Sequence, residues 1–587
     1  MGDENRSKKI LALFALLLVS FLIFLSKMFF SATSDRTIPS IYSSDSKRAE
    51  RGSIISADGY HLATTQKLYK AVVDTRSINP DKKELFIELF SIYSGVSKDE
   101  VIKKLSSKRG SITLSYSIKP KDAMHLKTLS REMLNEGVFI PYETPSGYSV
   151  LQELNILESG EARVYPYGKF LSPLIGYPRK MEDDGYTRVY GIKGIEKYFD
   201  EELDPQQNKA RKALRDVNGY LILNKMSQSK EQINGLNVKL NIPLKLQAKI
   251  ENMLDAHKER LNADEIIATV MEAKTGKIIS MASSNRFNPS SISKSDYPSL
   301  NTNAIEYSYE PGSVIKPIVF ALLLDKNLIN PYDMIDVHRG RYKMGTKVIT
   351  DEHAFDKISN EDVIVYSSNI GIAKLAQALD GNSYYNGLKD FGFTTFSGID
   401  LPYEKRGVIP SSGQLNNYLY KAITSYGYGM RANVMQLVKA FNVFNNSGKL
   451  VNPMITDMLF DDNGKTITIE SEPPVQVIEP STAEKMKQIL IKTVEEGTGK
   501  ITRTEGIVVG GKTGTAHIAK KGRYVNSYHT SFIGFANDKE HQYTIGVTVI
   551  DPRTVYFASI TAAPVFKAIV DLMVEDEYLI PQVSTIE

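Results

Sequence analysis

The sequence contains no cysteine, so no disulfide can staple it and no thiolate can hold a metal. Its eight histidines show no metal-ligand spacing such as H-E-x-x-H, and no metal or cofactor is implied. The surplus of basic over acidic side chains is only +4 across 587 residues, which makes no electrostatic case for nucleic acid. A lack of cysteine suits any compartment and does not decide localisation. The run Ile10 to Phe30 does: it is apolar apart from Ser20, Ser26 and Lys27, and as a helix it would be about 31 Å long, enough to cross a bilayer core. Lys27 lies near the far end, where it can snorkel. Arg6, Lys8 and Lys9 precede the run, which favours an inside N-terminus with everything after residue 30 outside. A cleaved signal peptide is the competing reading, but the run is long for one and no clear A-x-A site follows, so an uncleaved anchor is preferred.

The length suggests more than one domain. We expect an inside tail at 1–9, the anchor at 10–30, a Ser/Thr-rich polar tether at 31–47, a first external domain at 48–236 and a second at 237–587, with Lys225 to Glu231 as a linker. In the first external domain, Ser97-Lys-Asp-Glu100 is a capping box opening a helix that carries Val101, Ile102 and Leu105. In the second, an amphipathic helix starts after Asn241-Ile-Pro243 and runs to about Leu261. Strand candidates there are Ile266 to Met271, Lys277 to Met281, Ile507 to Gly511, Ser531 to Phe535 and Tyr543 to Ile550. Helix candidates are Val314 to Leu324, Ile370 to Ala378, Met435 to Phe444, and Ala483 to Val494 behind the capping box Ser481-Thr-Ala-Glu484. Helix and strand are interspersed without strict alternation, which argues for an α+β fold with an antiparallel sheet flanked by helices, and against a doubly wound parallel sheet.

Three short motifs supply the chemistry, in the order Ser313-Val-Ile-Lys316, Ser367-Ser-Asn369 and Lys512-Thr-Gly-Thr515. Together they offer a nucleophile, a nearby base, a proton relay with an amide-holding side chain, and a cationic strand edge. That is the equipment for acyl transfer through a serine ester. Each motif alone is weak. Ser-x-x-Lys also occurs at Ser44, Ser227 and Ser291, Ser-x-Asn at Ser283, and Lys-Thr-Gly at Lys274. Context separates them: Ser313 follows the turn signal Glu310-Pro-Gly312 and precedes the apolar run Ile318 to Leu324, which puts it at a helix start with Lys316 one turn on. Pro317 fits a first turn, where the missing N–H has no intrahelical partner anyway. The other serines lie in polar stretches with no apolar helix behind them, and Lys274-Thr-Gly276 reads as a hairpin turn between two β-rich runs. Gly506 to Thr513 also satisfies the nucleotide-binding pattern G-x-x-x-x-G-K-[ST], but Ile507 to Val509 lies inside the supposed loop and strand chemistry follows the lysine, so that reading fails.

The ordered set resembles that of penicillin-binding proteins. Arg51-Gly-Ser-Ile-Ile-Ser-Ala-Asp-Gly59, Arg163-Val-Tyr-Pro-Tyr-Gly168 and Gly191-Ile-Lys-Gly-Ile-Glu196 resemble the pedestal of the class B members, so the likeness spans residues 51 to about 570. Val494-Glu-Glu-Gly-Thr-Gly-Lys500, Ile550-Asp-Pro552 and Ala562-Ala-Pro-Val-Phe566 are similar to the septal cell-division transpeptidase. Departures occur at Ser56-Ala-Asp-Gly59, Leu203 to Asn208 and Met430-Arg-Ala-Asn433, and they fall on partner contacts rather than on the chemistry. The resemblance implies a peptidoglycan D,D-transpeptidase in the bacterial cytoplasmic (inner) membrane, with an elongated pedestal and a catalytic domain outside. Ser313 would be the nucleophile, and Lys316 the base, made partly neutral by burial and by Lys512. Ser367 would relay the proton, and Asn369 would hold the substrate amide. Thr513, Gly514 and Thr515 with Lys512 would bind the substrate, a stem peptide ending in D-Ala-D-Ala. β-Lactams would acylate the same serine. The implied partners are a multi-span glycan-polymerising membrane glycosyltransferase and other division proteins. An elongation-type enzyme and a membrane-anchored carboxypeptidase or β-lactamase-like hydrolase are the alternatives.

Overall fold

The computed structural model describes residues 3–33, 42–144, 147–183, 186–216, 221–222, 227–520 and 522–582, and the chain forms two compact units. The smaller unit joins Met1–Ala49 to Gln207–Ile233. It holds a helix at Asp3–Thr33, which over Arg6–Thr33 is long and apolar enough to cross a membrane. The strand Tyr42–Lys47 pairs antiparallel with Lys209–Arg215, which also takes up Leu221–Ile222 and Gln228–Lys230. The expected tether therefore ends in a strand, and the expected linker contains one. Both were read as loops because they are polar; their backbone groups are satisfied by partners remote in sequence, which local composition cannot reveal.

In the larger unit, a nine-stranded mixed sheet is built around the long strand His61–Asp74, flanked by Asn155–Val164 and Ile54–Ile55. Asn237–Leu240 pairs parallel with Ile54–Ile55 and antiparallel with Thr456–Phe460, so the expected border at residue 237 runs through a continuous sheet. The helix Lys98–Ser107 starts where Ser97 accepts from the Glu100 N–H; it buries Val101 and Leu105 but leaves Ile102 exposed.

The three pedestal segments converge on one buried carboxylate. Arg51 Nη2 lies 3.1 Å from Glu196 Oε2 and Arg163 Nε lies 2.6 Å from Glu196 Oε1, with all three side chains out of solvent. Arg163 also donates to the Gly52 carbonyl at 2.6 Å, and Arg51 pairs with Asp200 at 2.9 Å. Burial alone would raise the Glu196 carboxyl, but the Arg163 and Arg51 charges and their hydrogen bonds outweigh it and hold it below its ordinary value. Glu196→Gln leaves two guanidinium groups short of their shared counter-charge in a dry site. We expect it to destabilise this unit by about 3–5 kcal/mol, read as a fall in thermal midpoint; an unchanged midpoint would show that the cluster is dispensable.

Beyond this cluster lies a five-stranded antiparallel sheet in the order Ile278–Ser283, Glu265–Glu272, Gln542–Ile550, Arg523–Asn537, Val508–Lys520. Alternation along Glu265–Glu272 sends Ile266, Ala268 and Val270 into the core shared with the helices Leu244–Leu261 and Ala562–Glu575. Ile267 and Met271 enter the opposite core, which contains the wholly buried helix Val434–Asn445. Thr275 and Gly276 turn the chain between two of these strands, with Gly276 at a φ of +77°. The helix Pro480–Glu495 begins one residue before Ser481: Glu479 is its N-cap and Pro480 its first residue, so the expected Ser481 capping box does not form. Proline pre-sets the first-turn φ and starts the helix early.

Candidate active site

Gly312–Ile315 is a single 3-10 turn that leads directly into the buried helix Lys316–Asp325. The tight turn leaves Ser313 partly exposed while Lys316 is fully buried. Two close approaches fix it. A Cβ on Gly514 would lie 2.8 Å from Val314 Cγ1 and 3.1 Å from the Pro311 carbonyl, so the lysine strand can press against the serine turn only with glycine there. Gly312 and Gly427, at φ of +58° and +88°, touch backbone to backbone, joined by a hydrogen bond of 3.2 Å. Val508–Lys520 is the edge strand of its sheet, and its unpaired side borders this turn.

The second motif approaches from the helical side. Ser367 sits between the helices Asn360–Val365 and Asn369–Leu375 with a φ of +60°, a conformation that costs a non-glycine residue energy and that the neighbouring helices impose. That geometry presents both its carbonyl and its hydroxyl to Lys316 Nζ, at 2.5 and 3.1 Å. Lys512 is also fully buried and donates to the Thr513 carbonyl at 3.1 Å and the Thr513 hydroxyl at 3.3 Å. Thr513 in turn contacts the Thr498 hydroxyl at 3.0 Å, and Thr515 Oγ1 accepts from the Ala558 N–H. Among the described residues the Ser313 hydroxyl has no hydrogen-bond partner. The serine turn, Ser367 and the lysine strand thus come together: Gly514 packs on Val314, Ser367 bonds Lys316, and the Lys316 charge is felt at Lys512. The side-chain amide nitrogen of Asn369 donates to the Thr350 carbonyl at 2.8 Å.

Burial pushes Lys316 down to about 7, against the opposing charges of Asp351 and Glu352. Lys512 falls well below its ordinary value, first through burial and then through the Lys316 charge. Sequence reasoning had burial and Lys512 together depress Lys316; burial is the cause found at Lys316, and the repulsion is felt at Lys512.

Comparison with known proteins fits this geometry. The penicillin-binding protein transpeptidase domain matches residues 266–571, more than half of the chain, and the penicillin-binding protein dimerisation domain matches residues 46–240. The chain belongs to the class B penicillin-binding proteins. It is 29% identical to stage V sporulation protein D of Bacillus subtilis over 531 residues, covering 88% of this chain and 76% of that protein. It is 27% identical to the peptidoglycan D,D-transpeptidase FtsI of Buchnera aphidicola over 541 residues, covering 90% and 87%. The crystal structure of penicillin binding protein 2X from Streptococcus thermophilus shares the fold with a TM-score of 0.73 at 21% identity, covering 90% of this chain and 80% of that one.

In this class B penicillin-binding protein two groups at the site were missed from the sequence. Glu310 accepts from the Gly429 N–H at 2.8 Å and from the Tyr524 hydroxyl at 3.2 Å, tying the serine turn to the loop at Gly429 and to the strand Arg523–Asn537; its place beside Pro311-Gly312 was the available signal. Asp351 carried none. It follows the strand Lys347–Thr350, and its carboxylate accepts from the Ser368 hydroxyl, from Asn369 N at 2.6 Å and from Ile370 N at 3.0 Å. It thereby caps the helix that follows Ser367. Asp351→Ala frees Ser367 and Asn369 to drift, and a displacement of about 1 Å can cost a rate roughly 100-fold. Penicillin acylation of Asp351→Ala should slow by about that factor, and an unchanged rate would show that the neighbouring helices hold Ser367 without it.

Proposed function

We propose that this chain is a peptidoglycan D,D-transpeptidase acting through a Ser313 acyl-enzyme. The observation that carries the reading is Lys316: a buried amine one turn from a free serine hydroxyl, hydrogen-bonded to Ser367 and facing the Lys512 to Thr515 strand edge. Neutral Lys316 takes the Ser313 proton as Oγ attacks the carbonyl carbon of the penultimate D-alanine. The backbone N–H groups of Ser313 and Thr515 receive the oxyanion. Ser367, 3.1 Å from Lys316 Nζ, passes the proton to the amide nitrogen of the leaving D-alanine. The C–N bond breaks, D-alanine departs, and an amine of a neighbouring stem peptide attacks the ester, returning its proton through the same path. The terminal carboxylate of the donor is received by Lys512, Thr513 and Thr515, and its negative charge favours a protonated Lys512 once substrate is bound. Asn369 holds the donor's amide. β-Lactams acylate Ser313 because they mimic the D-Ala-D-Ala unit.

A septal role is supported by the segments Val494 to Lys500, Ile550 to Pro552 and Ala562 to Phe566, and by the names of the FtsI and sporulation relatives. In this reading the N-terminus is inside, the catalytic part is extracytoplasmic, and a multi-span glycan polymerase supplies strands through the Ile10 to Phe30 helix and the pedestal. The discriminating experiment gives membrane-reconstituted full-length protein polymerised glycan strands with pentapeptide stems and reads the products by mass spectrometry. We expect cross-linked dimers that have lost one D-alanine. Shortened monomers alone would make the chain a carboxypeptidase.

A further inference from the structure

The smaller unit carries a charge imbalance that the catalytic reading does not use. Segments 42–49 and 207–233 contain eight Lys and Arg against three Asp and Glu, a surplus of five, whereas the whole chain's surplus is +4. All other residues together are therefore slightly acidic, and the surplus is carried by these two segments. Register sharpens the point. Lys209 on the strand Lys209–Arg215 lies directly opposite Lys47, two cations facing each other across an antiparallel pair. Such a pair is destabilising by itself and is relieved when an anion sits against it. Lys230, across from Ala210, turns to the opposite face of the sheet and takes no part in this pair. Among the described residues, Lys47, Lys209 and Lys230 make no ion pair.

The same unit holds the apolar helix Asp3–Thr33, and Tyr42–Lys47 begins nine residues after that helix ends. Nine backbone steps span at most about 32 Å, so the basic sheet is kept close to the point where the helix leaves a bilayer. Lipid phosphates there act over a Debye length of about 8 Å, and each Lys or Arg brought that close adds attraction.

We propose that this sheet is a docking surface for anionic phospholipid headgroups of the leaflet from which the helix emerges. The phosphates neutralise the facing Lys47 and Lys209 pair and pin the start of the external chain to the membrane surface. Binding is electrostatic and non-covalent, so it weakens with salt.

Because the chain has no cysteine, Ser229→Cys on the edge strand Gln228–Lys230 gives a unique labelling site. Full-length protein carrying a fluorophore there is placed in nanodiscs of phosphatidylcholine, with or without phosphatidylglycerol, and quenched by a headgroup-nitroxide lipid at constant fraction. We expect roughly twofold stronger quenching with phosphatidylglycerol, lost in high salt. The same loss is expected in the variant K47E/K209E, whose penicillin labelling is unchanged. Equal quenching in both lipids, or salt-insensitive quenching, overturns the proposal; should the double variant fail to fold, the lipid and salt arms on the unreversed protein decide alone.

Discussion

Ser313→Ala is expected to abolish covalent attachment of a labelled penicillin, while Ser44→Ala, Ser227→Ala and Ser291→Ala leave labelling intact. The effect is all-or-none because the acyl-enzyme bond is made to one oxygen, and alanine supplies none. Among the serines of Ser-x-x-Lys sequences, only Ser313 sits on a turn that runs straight into a buried helix, one turn from an amine in a dry site. Ser227 and Ser291 lie outside helix and strand, and Ser44 belongs to the strand Tyr42–Lys47. The substitution removes one oxygen from a partly exposed position, so the fold should survive and the thermal midpoint should barely move. Peptide mapping locates the adduct directly, and a penicilloyl group on any other serine would sink the nucleophile assignment.

Lys316→Arg should slow acylation by several orders of magnitude. Arginine keeps the positive charge but stays protonated at every accessible pH, so it cannot take the Ser313 proton. The pH profile of the unsubstituted enzyme tests the same assignment without mutation. Burial brings Lys316 down to about 7, and only its neutral form acts as a base, so acylation should level off above that value and fall about tenfold per pH unit below it. The sign follows from the amine losing its proton as pH rises. Asp351 opposes the depression through its charge, so Asp351→Asn should move the acid limb to lower pH. Stopped-flow acylation between pH 5 and 9 would resolve both. A rate independent of pH across that range, or a folded Lys316→Arg protein that acylates normally, would remove Lys316 from the role of base.

Much of the catalytic half was legible along the chain because its signals are local. Glu310-Pro-Gly312 before an apolar run marks a helix start, and an i, i+3 spacing puts Ser313 and Lys316 one turn apart whatever the rest of the molecule does. The five expected strands all appear, although Val508–Lys520 and Arg523–Asn537 extend well beyond the apolar cores that signalled them. Their extra length is polar and aromatic, and it is strand because each supplies the other's hydrogen bonds. Errors came where a distant strand satisfied a polar backbone, or where an adjacent residue started a helix early. Polar residues 42–47 and 228–230 found partners on Lys209–Arg215, and Pro480 took over the helix start assigned to Ser481.

The sequence by itself determined the candidate side chains, their order, the turn and helix that carry two of them and the strand that carries another, since propensity, capping and periodicity act within a few residues. Tertiary structure alone decided that these atoms meet, that Ser367 is held left-handed with its hydroxyl on Lys316, that Asp351 caps that segment, and that Arg51, Arg163 and Glu196 close on each other. It also decided how basic the two lysines are. Desolvation depends on every atom packed around a charge, drawn from helices and strands far apart in the chain, and no stretch of sequence contains that sum.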